Sequence, residues 1–116
     1  MGITYITGIV KGPKGEAEVR FLIDSGATYS LLPEETCKKI GLEPKRYMDF
    51  TLADGTIIRR GVSECYLILK EGEGHTPVIL GEEDDEALLG VVTLEILGLV
   101  FNPFKRTLKP MRAVLI

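Results

Sequence analysis

Histidine occurs once in this chain, as His75, and cysteine only twice, as Cys37 and Cys65. That stock offers a single histidine to any Ser-His triad and no cysteine pair to a zinc site, so no metal is expected. The two cysteines have no short metal-ligand spacing and read as free buried thiols rather than as a bridge. His75 stands among Gly74, Thr76 and Pro77, the composition of a surface turn. Long apolar runs are missing too. No stretch reaches the roughly 18 residues of a membrane span, and Met1 to Val10 is too polar for the core of a signal peptide. Ile6 occupies the place where a myristoylation signal wants Ser or Thr. A cytoplasmic address with no membrane partner is therefore expected. Positive charge is not in excess either: the net charge is -3 and the isoelectric point about 5.2, which gives no electrostatic footprint for nucleic acid.

What is present is ordinary globular material, 45% hydrophobic and 27% charged over 116 residues, which fits one domain spanning residues 1–116. The pattern is mostly β with two short helices. Ile3 to Lys11 and the strand leading to Asp24 form a hairpin broken at Lys11-Gly12-Pro13-Lys14-Gly15. Tyr29 to Leu32 reads as a short buried strand. Pro33 then opens a helix to Ile40, with Glu34 and Glu35 in its first turn, Lys38 and Lys39 in its last and Gly41 ending it. Lys45 to Leu52 and Thr56 to Leu69 are two strands joined through Ala53-Asp54-Gly55, where the Asp-Gly pair suits a type I′ turn. Glu71 to Gly74 reads as a turn and Thr76 to Leu80 as a strand. The acidic run Glu82 to Glu86 lacks the spacing of a calcium loop and reads as a solvated loop. Ala87 to Gly90 is a short strand, and Val91, Leu94 and Leu97 repeat at helical spacing up to Gly98. Leu99 to Phe101 and Arg106 to Ile116 close the chain around an Asn102-Pro103 turn.

One carboxylate stands apart. In the strand before it, Ala17, Val19, Phe21 and Ile23 alternate with Glu16, Glu18 and Arg20, so Asp24 leaves a sheet on its core side. Such a group is costly to desolvate unless it is paired, hydrogen-bonded or protonated. Ser25 can donate or accept locally, and Gly26 allows the backbone to approach and offer N-H groups. Asp-Ser-Gly is also ordinary turn composition, and alone it implies no more than a turn.

Three features in order carry more: Asp24-Ser25-Gly26-Ala27, the Asp54-Gly55 hairpin, and Leu88-Leu89-Gly90. On them the chain resembles the retropepsin-like (retroviral-type) aspartic proteases over almost its whole length. The resemblance implies a closed, barrel-like acid protease domain with one or two short helices, working as a C2 homodimer on a polypeptide substrate without a cofactor. It implies that Asp24 is the catalytic aspartate, that Ser25 ties two active loops together, that Gly26 lies where backbone approaches substrate, and that Ala27 is the small residue that follows. Ala53, Asp54 and Gly55 would form the flap, while Leu89 and Gly90 would pack beneath the catalytic loop. Two positions depart from the viral pattern. Thr28 stands where viral enzymes commonly have a second Asp, and Val91 where they commonly have Arg, so the chain looks closer to cellular, non-viral relatives.

Metal-free peptide hydrolysis can be run by two carboxylates that hold one water and differ in protonation. This chain supplies one Asp-Ser-Gly, so the resemblance implies that Asp24 meets its counterpart across a twofold axis. A non-catalytic homodimeric module of the same fold, binding peptides or proteins, is compatible with the same residues. A hydrolase of another fold, with Ser25 as nucleophile and His75 as base, is disfavoured because Ser25 has no Gly-x-Ser-x-Gly setting.

Overall fold

The structure, a computed structural model, describes residues 3–112 and 115. Strand β1 (Tyr5–Gly12) turns at Pro13-Lys14 into β2 (Gly15–Ile23), with Gly12 opposite Gly15 in an antiparallel register. The alternation read from β2 is the one observed: Ala17, Val19 and Phe21 are buried while Glu16, Glu18 and Arg20 face water. After the Asp24 loop come β3 (Ser30–Leu32) and α1 (Glu34–Ile40). Pro33 is the N-cap of α1 rather than its first residue. Gly41 ends the helix at φ 78°, its N-H donating to Lys38 O and that of Leu42 to Cys37 O, and Glu34 pairs with Lys38 one turn on at 3.4 Å.

A hairpin follows from β4 (Arg46–Thr51) into the long β5 (Ile57–Leu69), and then β6 (Gly72–Leu80). The expected type I′ turn is not what forms. Gly55 N-H donates to Leu52 O, Leu52 N-H to Thr56 O, and only Gly55, at φ 88°, is left-handed. This is a type I turn closed by a left-handed glycine, because Asp54 spends its carboxylate on the Thr56 N-H at 2.9 Å and keeps negative φ. The turn expected over Glu71 to Gly74 is likewise displaced. It lies at Lys70-Glu71, and Gly72 to His75 pair with β5, so His75 is a strand residue opposite Tyr66, their rings edge to face at 4.9 Å.

The chain ends with β7 (Leu88–Leu89), α2 (Val91–Ile96), β8 (Leu99–Asn102) and β9 (Thr107–Pro110). Strand β9 stops at Pro110, short of the expected Ile116; residues 113, 114 and 116 lie outside the described part. Asn102 caps the last turn, its Oδ1 accepting from the N-H groups of Phe104 and Lys105.

Pairing runs β1-β2-β7-β3-β6-β5, and β5 returns to β1. Six strands thus close on themselves, which removes the edges that open sheets must protect. Strand β5 is long enough to serve twice. Its second half pairs with β6 and β1, and its first half, with β4, extends beyond the ring as a two-stranded arm. The core inside is apolar, with Phe21, Leu32, Leu67 and Leu89 all but fully buried. The mostly β, closed architecture with two short helices is the one expected. Among the described residues no helix is long and apolar enough to cross a membrane.

Candidate active site

Asp24 is the first residue past β2, half-buried, and its placement is local chemistry. Its N-H donates to Leu89 O at 3.2 Å, its carbonyl accepts from Ala27 N-H at 3.0 Å, and its Oδ1 accepts from Gly26 N-H at 2.9 Å. The carboxylate therefore has the backbone donor its position called for. A Cβ at Gly26 would lie 3.2 Å from that same oxygen, so a side chain there would push the carboxylate by a few tenths of an ångström.

Beneath this loop lies Gly90, and here no side chain fits at all. A Cβ would stand 2.5 Å from the Tyr29 carbonyl carbon and 3.0 Å from Ala27 O. That approach lets Val91 and Val92, at the start of α2, donate their N-H groups to Ala27 O and Thr28 O, both at 2.9 Å. Main chain thus ties the Asp24 loop to the start of α2 at Thr28 and Val91, the two positions that depart from the viral pattern. Leu89 is fully buried, and its carbonyl accepts the Asp24 N-H.

A chain of three buried hydroxyls, which sequence reasoning missed, completes the floor. Gly90 N-H donates to Ser30 Oγ at 2.9 Å, Ser30 and Thr93 are 2.5 Å apart, Thr93 and Thr76 are 2.8 Å apart, and Thr76 donates to Pro77 O at 3.1 Å. A carbonyl cannot donate, so the single Thr76 proton is committed. Thr93 must then donate to Thr76, and Ser30 to Thr93. Every hydroxyl proton has one destination, and the chain stitches β3, α2 and β6 together under the loop.

Above the loop is a cleft of about 520 Å³ lined by Asp24, Gly26, Ala27 and Thr28 on one side and by Phe50 to Ala53 and Ile58 on the other. The β4–β5 arm is thus a roof over Asp24. Tyr29 and Phe50, both in the lining, meet edge to face at 6.2 Å and bridge loop and roof. Ala53 reaches the cleft. Asp54 and Gly55 stay at the exposed tip outside it, where the Thr56 hydroxyl and N-H hold the Asp54 carboxyl below its usual range. Ser25 is exposed and does not line the cleft.

The far wall holds the second feature missed. Arg60 and Asp85 both line the cleft and pair at 3.1 Å, and Arg60 also meets Glu82 at 3.0 Å. The acidic run is therefore not wholly a solvated loop. The signal was an arginine at an inward position of an alternating strand, but Arg59-Arg60 as a pair hides which one points in.

A larger recess, about 750 Å³, is lined by Lys14, Pro44, Tyr66 and His75 among others, shares no residue with the cleft and contains none of the expected site residues. His75 lies there, away from Ser25, which removes the serine hydrolase alternative. Cys37 and Cys65 are free and buried as expected; burial pushes both thiols up, Cys65 to about 12, so neither is poised as a nucleophile.

Residues 10–95 match the family model described as gag-polyprotein putative aspartyl protease. No curated protein matches the sequence. Solved structures that share the fold include the following three. The equine infectious anaemia virus (EIAV) protease, complexed with the inhibitor HBY-793, aligns with a TM-score of 0.65 at 15% identity, over 98% of this chain and 94% of its own. The retroviral protease-like domain of Ddi1 from Leishmania major aligns at 0.61 and 14%, over 95% and 89%. The simian foamy virus (mac) protease aligns at 0.59 and 19%, over 80% and 93%.

Proposed function

The chain belongs to the gag-polyprotein putative aspartyl protease family, and from that premise we propose that it is an aspartic endopeptidase with Asp24 as its catalytic residue. Two copies, each one such domain over residues 1–116, face each other across a twofold axis, so that Asp24 of one and Asp24 of the other hold a single water. Two carboxylates that hold one water cannot both ionise easily, and they share a proton. The ionised one takes a proton from the water as its oxygen attacks the scissile carbonyl carbon. The protonated one gives its proton to the carbonyl oxygen. Return of a proton to the amide nitrogen then lets the C-N bond break.

The other residues take supporting parts in this reading. Ser25, exposed beside Asp24, is free to bond the opposite loop. Gly26 keeps the backbone open for an extended peptide, beside Ala27 and Thr28. The flap at Ala53, Asp54 and Gly55 covers the peptide with main-chain groups. Apolar lining from Leu31, Phe50, Leu52, Ile58, Ile79 and Leu88 favours apolar substrate side chains and extended or unfolded polypeptide. The exposed side chains of Val100 and Phe104, the latter 88% accessible, give a second copy apolar surface to cover.

The observation that carries the reading is a half-buried carboxylate, oriented by Gly26 N-H, on the floor of a roofed apolar cleft. Asp24→Asn keeps the shape and removes the charge. It is expected to abolish cleavage of a denatured protein substrate while leaving the dimer intact on a sizing column. Undiminished cleavage would reject the assignment; a dimer whose wild type binds peptide but never cuts it would favour the non-catalytic module.

A further inference from the structure

Arginine does not belong in an apolar wall unless something answers its charge. The Arg60 side chain is only 20% exposed, and Ile58, Phe50, Leu88 and Ile79 share the lining with it. Removing a guanidinium from water into such surroundings is costly unless hydrogen-bonded anions go with it. Both anions come from one short loop. Asp85 is held there firmly: its Oδ2 accepts from Glu82 N-H at 2.6 Å, and its own N-H donates to Glu82 O at 3.2 Å. The loop is anchored in turn at Gly81, whose N-H donates to Leu32 O at 2.8 Å and where a Cβ would lie 2.5 Å from that oxygen. Asp85 is therefore delivered by the barrel, while Arg60 is delivered by the roof strand. Glu82 lies outside the cleft lining and is 74% exposed.

We infer that Arg60 is the specificity-determining residue of the cleft, a cation masked by Asp85 and Glu82 so that the subsite beside it accepts apolar substrate side chains and rejects acidic ones. The inference rests on the reading of the cleft as a peptide site. Masking works in two ways at once. The two carboxylates occupy the guanidinium fork that a substrate carboxylate would need, and their combined charge of two against one repels that carboxylate. Neutral isosteres at both acids would keep the shape and uncover the cation, turning an apolar subsite into one for Glu or Asp.

The test is binding, which does not require turnover. A set of extended peptides with the central amide reduced to a non-cleavable amine carries Leu or Glu at each position in turn, and fluorescence anisotropy measures their affinities. Wild type should bind the Glu peptide about tenfold more weakly than the Leu peptide at one position. Glu82→Gln with Asp85→Asn should reverse that order at the same position. Adding Arg60→Met to the pair should abolish the reversal, a result that a merely structural role for the ion pair would not give. Glu82→Gln alone, at the exposed partner, should shift the ratio in the same direction by less. An unchanged ranking in all variants, or no binding of any peptide, would overturn the inference. Reversal in a protein that never cleaves would sink the hydrolytic reading and leave Arg60 its role; cleavage lost in Asp24→Asn without reversal would do the opposite.

Discussion

The floor under Asp24 and the roof over it are built on opposite principles. The floor is close-packed: Gly90 stands against the Tyr29 backbone, and three buried hydroxyls donate hydrogen bonds in one direction from β3 to β6. The roof is open. Residues 51 to 57 are exposed throughout, and the contacts of the arm with the other wall include an aromatic pair at Phe50 and an ion pair at Arg60. A close-packed floor holds the Asp24 loop in place, and an exposed roof tip is the part that the proposed function needs to move over a bound chain. Damage to the floor should therefore appear as lost stability, and damage to the roof as altered recognition.

The two regions each contain a glycine whose replacement is costly, for different reasons, and that contrast gives the sharpest way to break the comparison. Gly90→Ala drives a methyl group into backbone at 2.5 Å, which cannot be relieved by rotating a side chain. It should cost about 3 kcal/mol or more, read by urea unfolding, since overpacking against fixed structure is at the upper end of such effects. A loss below about 1 kcal/mol would mean the floor yields, contrary to the comparison.

The hydroxyl chain should come next. Thr93→Val keeps the shape, leaves the Ser30 proton without its acceptor and takes the donor from Thr76, all in a buried place. A loss of about 1–3 kcal/mol is expected by the same measurement. An unchanged midpoint would show that water or a neighbour replaces the threonine.

At the roof tip, Gly55→Ala meets nothing within 4 Å but forces alanine to φ 88°. A loss of about 1 kcal/mol follows from backbone strain alone, smaller than either floor substitution. Peptide affinity should change more than stability does. The reverse ranking of Gly55 and Gly90 would overturn the contrast between roof and floor.

Much of this was legible in the sequence because it depends on short-range pattern. Alternation placed Ala17, Val19 and Phe21 in the core, and Pro33 with Gly41 bounded a helix whose ends carry matching charges. The Asp24 loop could be read because its first hydrogen bonds close within three residues. What escaped was long-range. Ser30, Thr76 and Thr93 are unremarkable polar residues until the fold brings them into contact. Arg60 and Asp85 are 25 residues apart, and nothing local to either marks the partner. The turn at Gly55 was misassigned for a subtler reason: Asp-Gly favours two left-handed residues, but Asp54 bonds to Thr56 instead and leaves the positive φ to glycine alone. His75 was misplaced because flanking glycines suggested a turn where cross-strand pairing with Tyr66 imposed a strand.

Under the proposed mechanism, one working site needs Asp24 from two copies of the chain. Wild type and Asp24→Asn protein, unfolded together in equal amounts, refolded at fixed total concentration and assayed on a denatured protein substrate, test it directly. If both carboxylates are required, only pairs of two wild-type copies cut, and about a quarter of the activity remains. If half remains, in proportion to the wild-type chains present, each copy works alone and the shared site is contradicted.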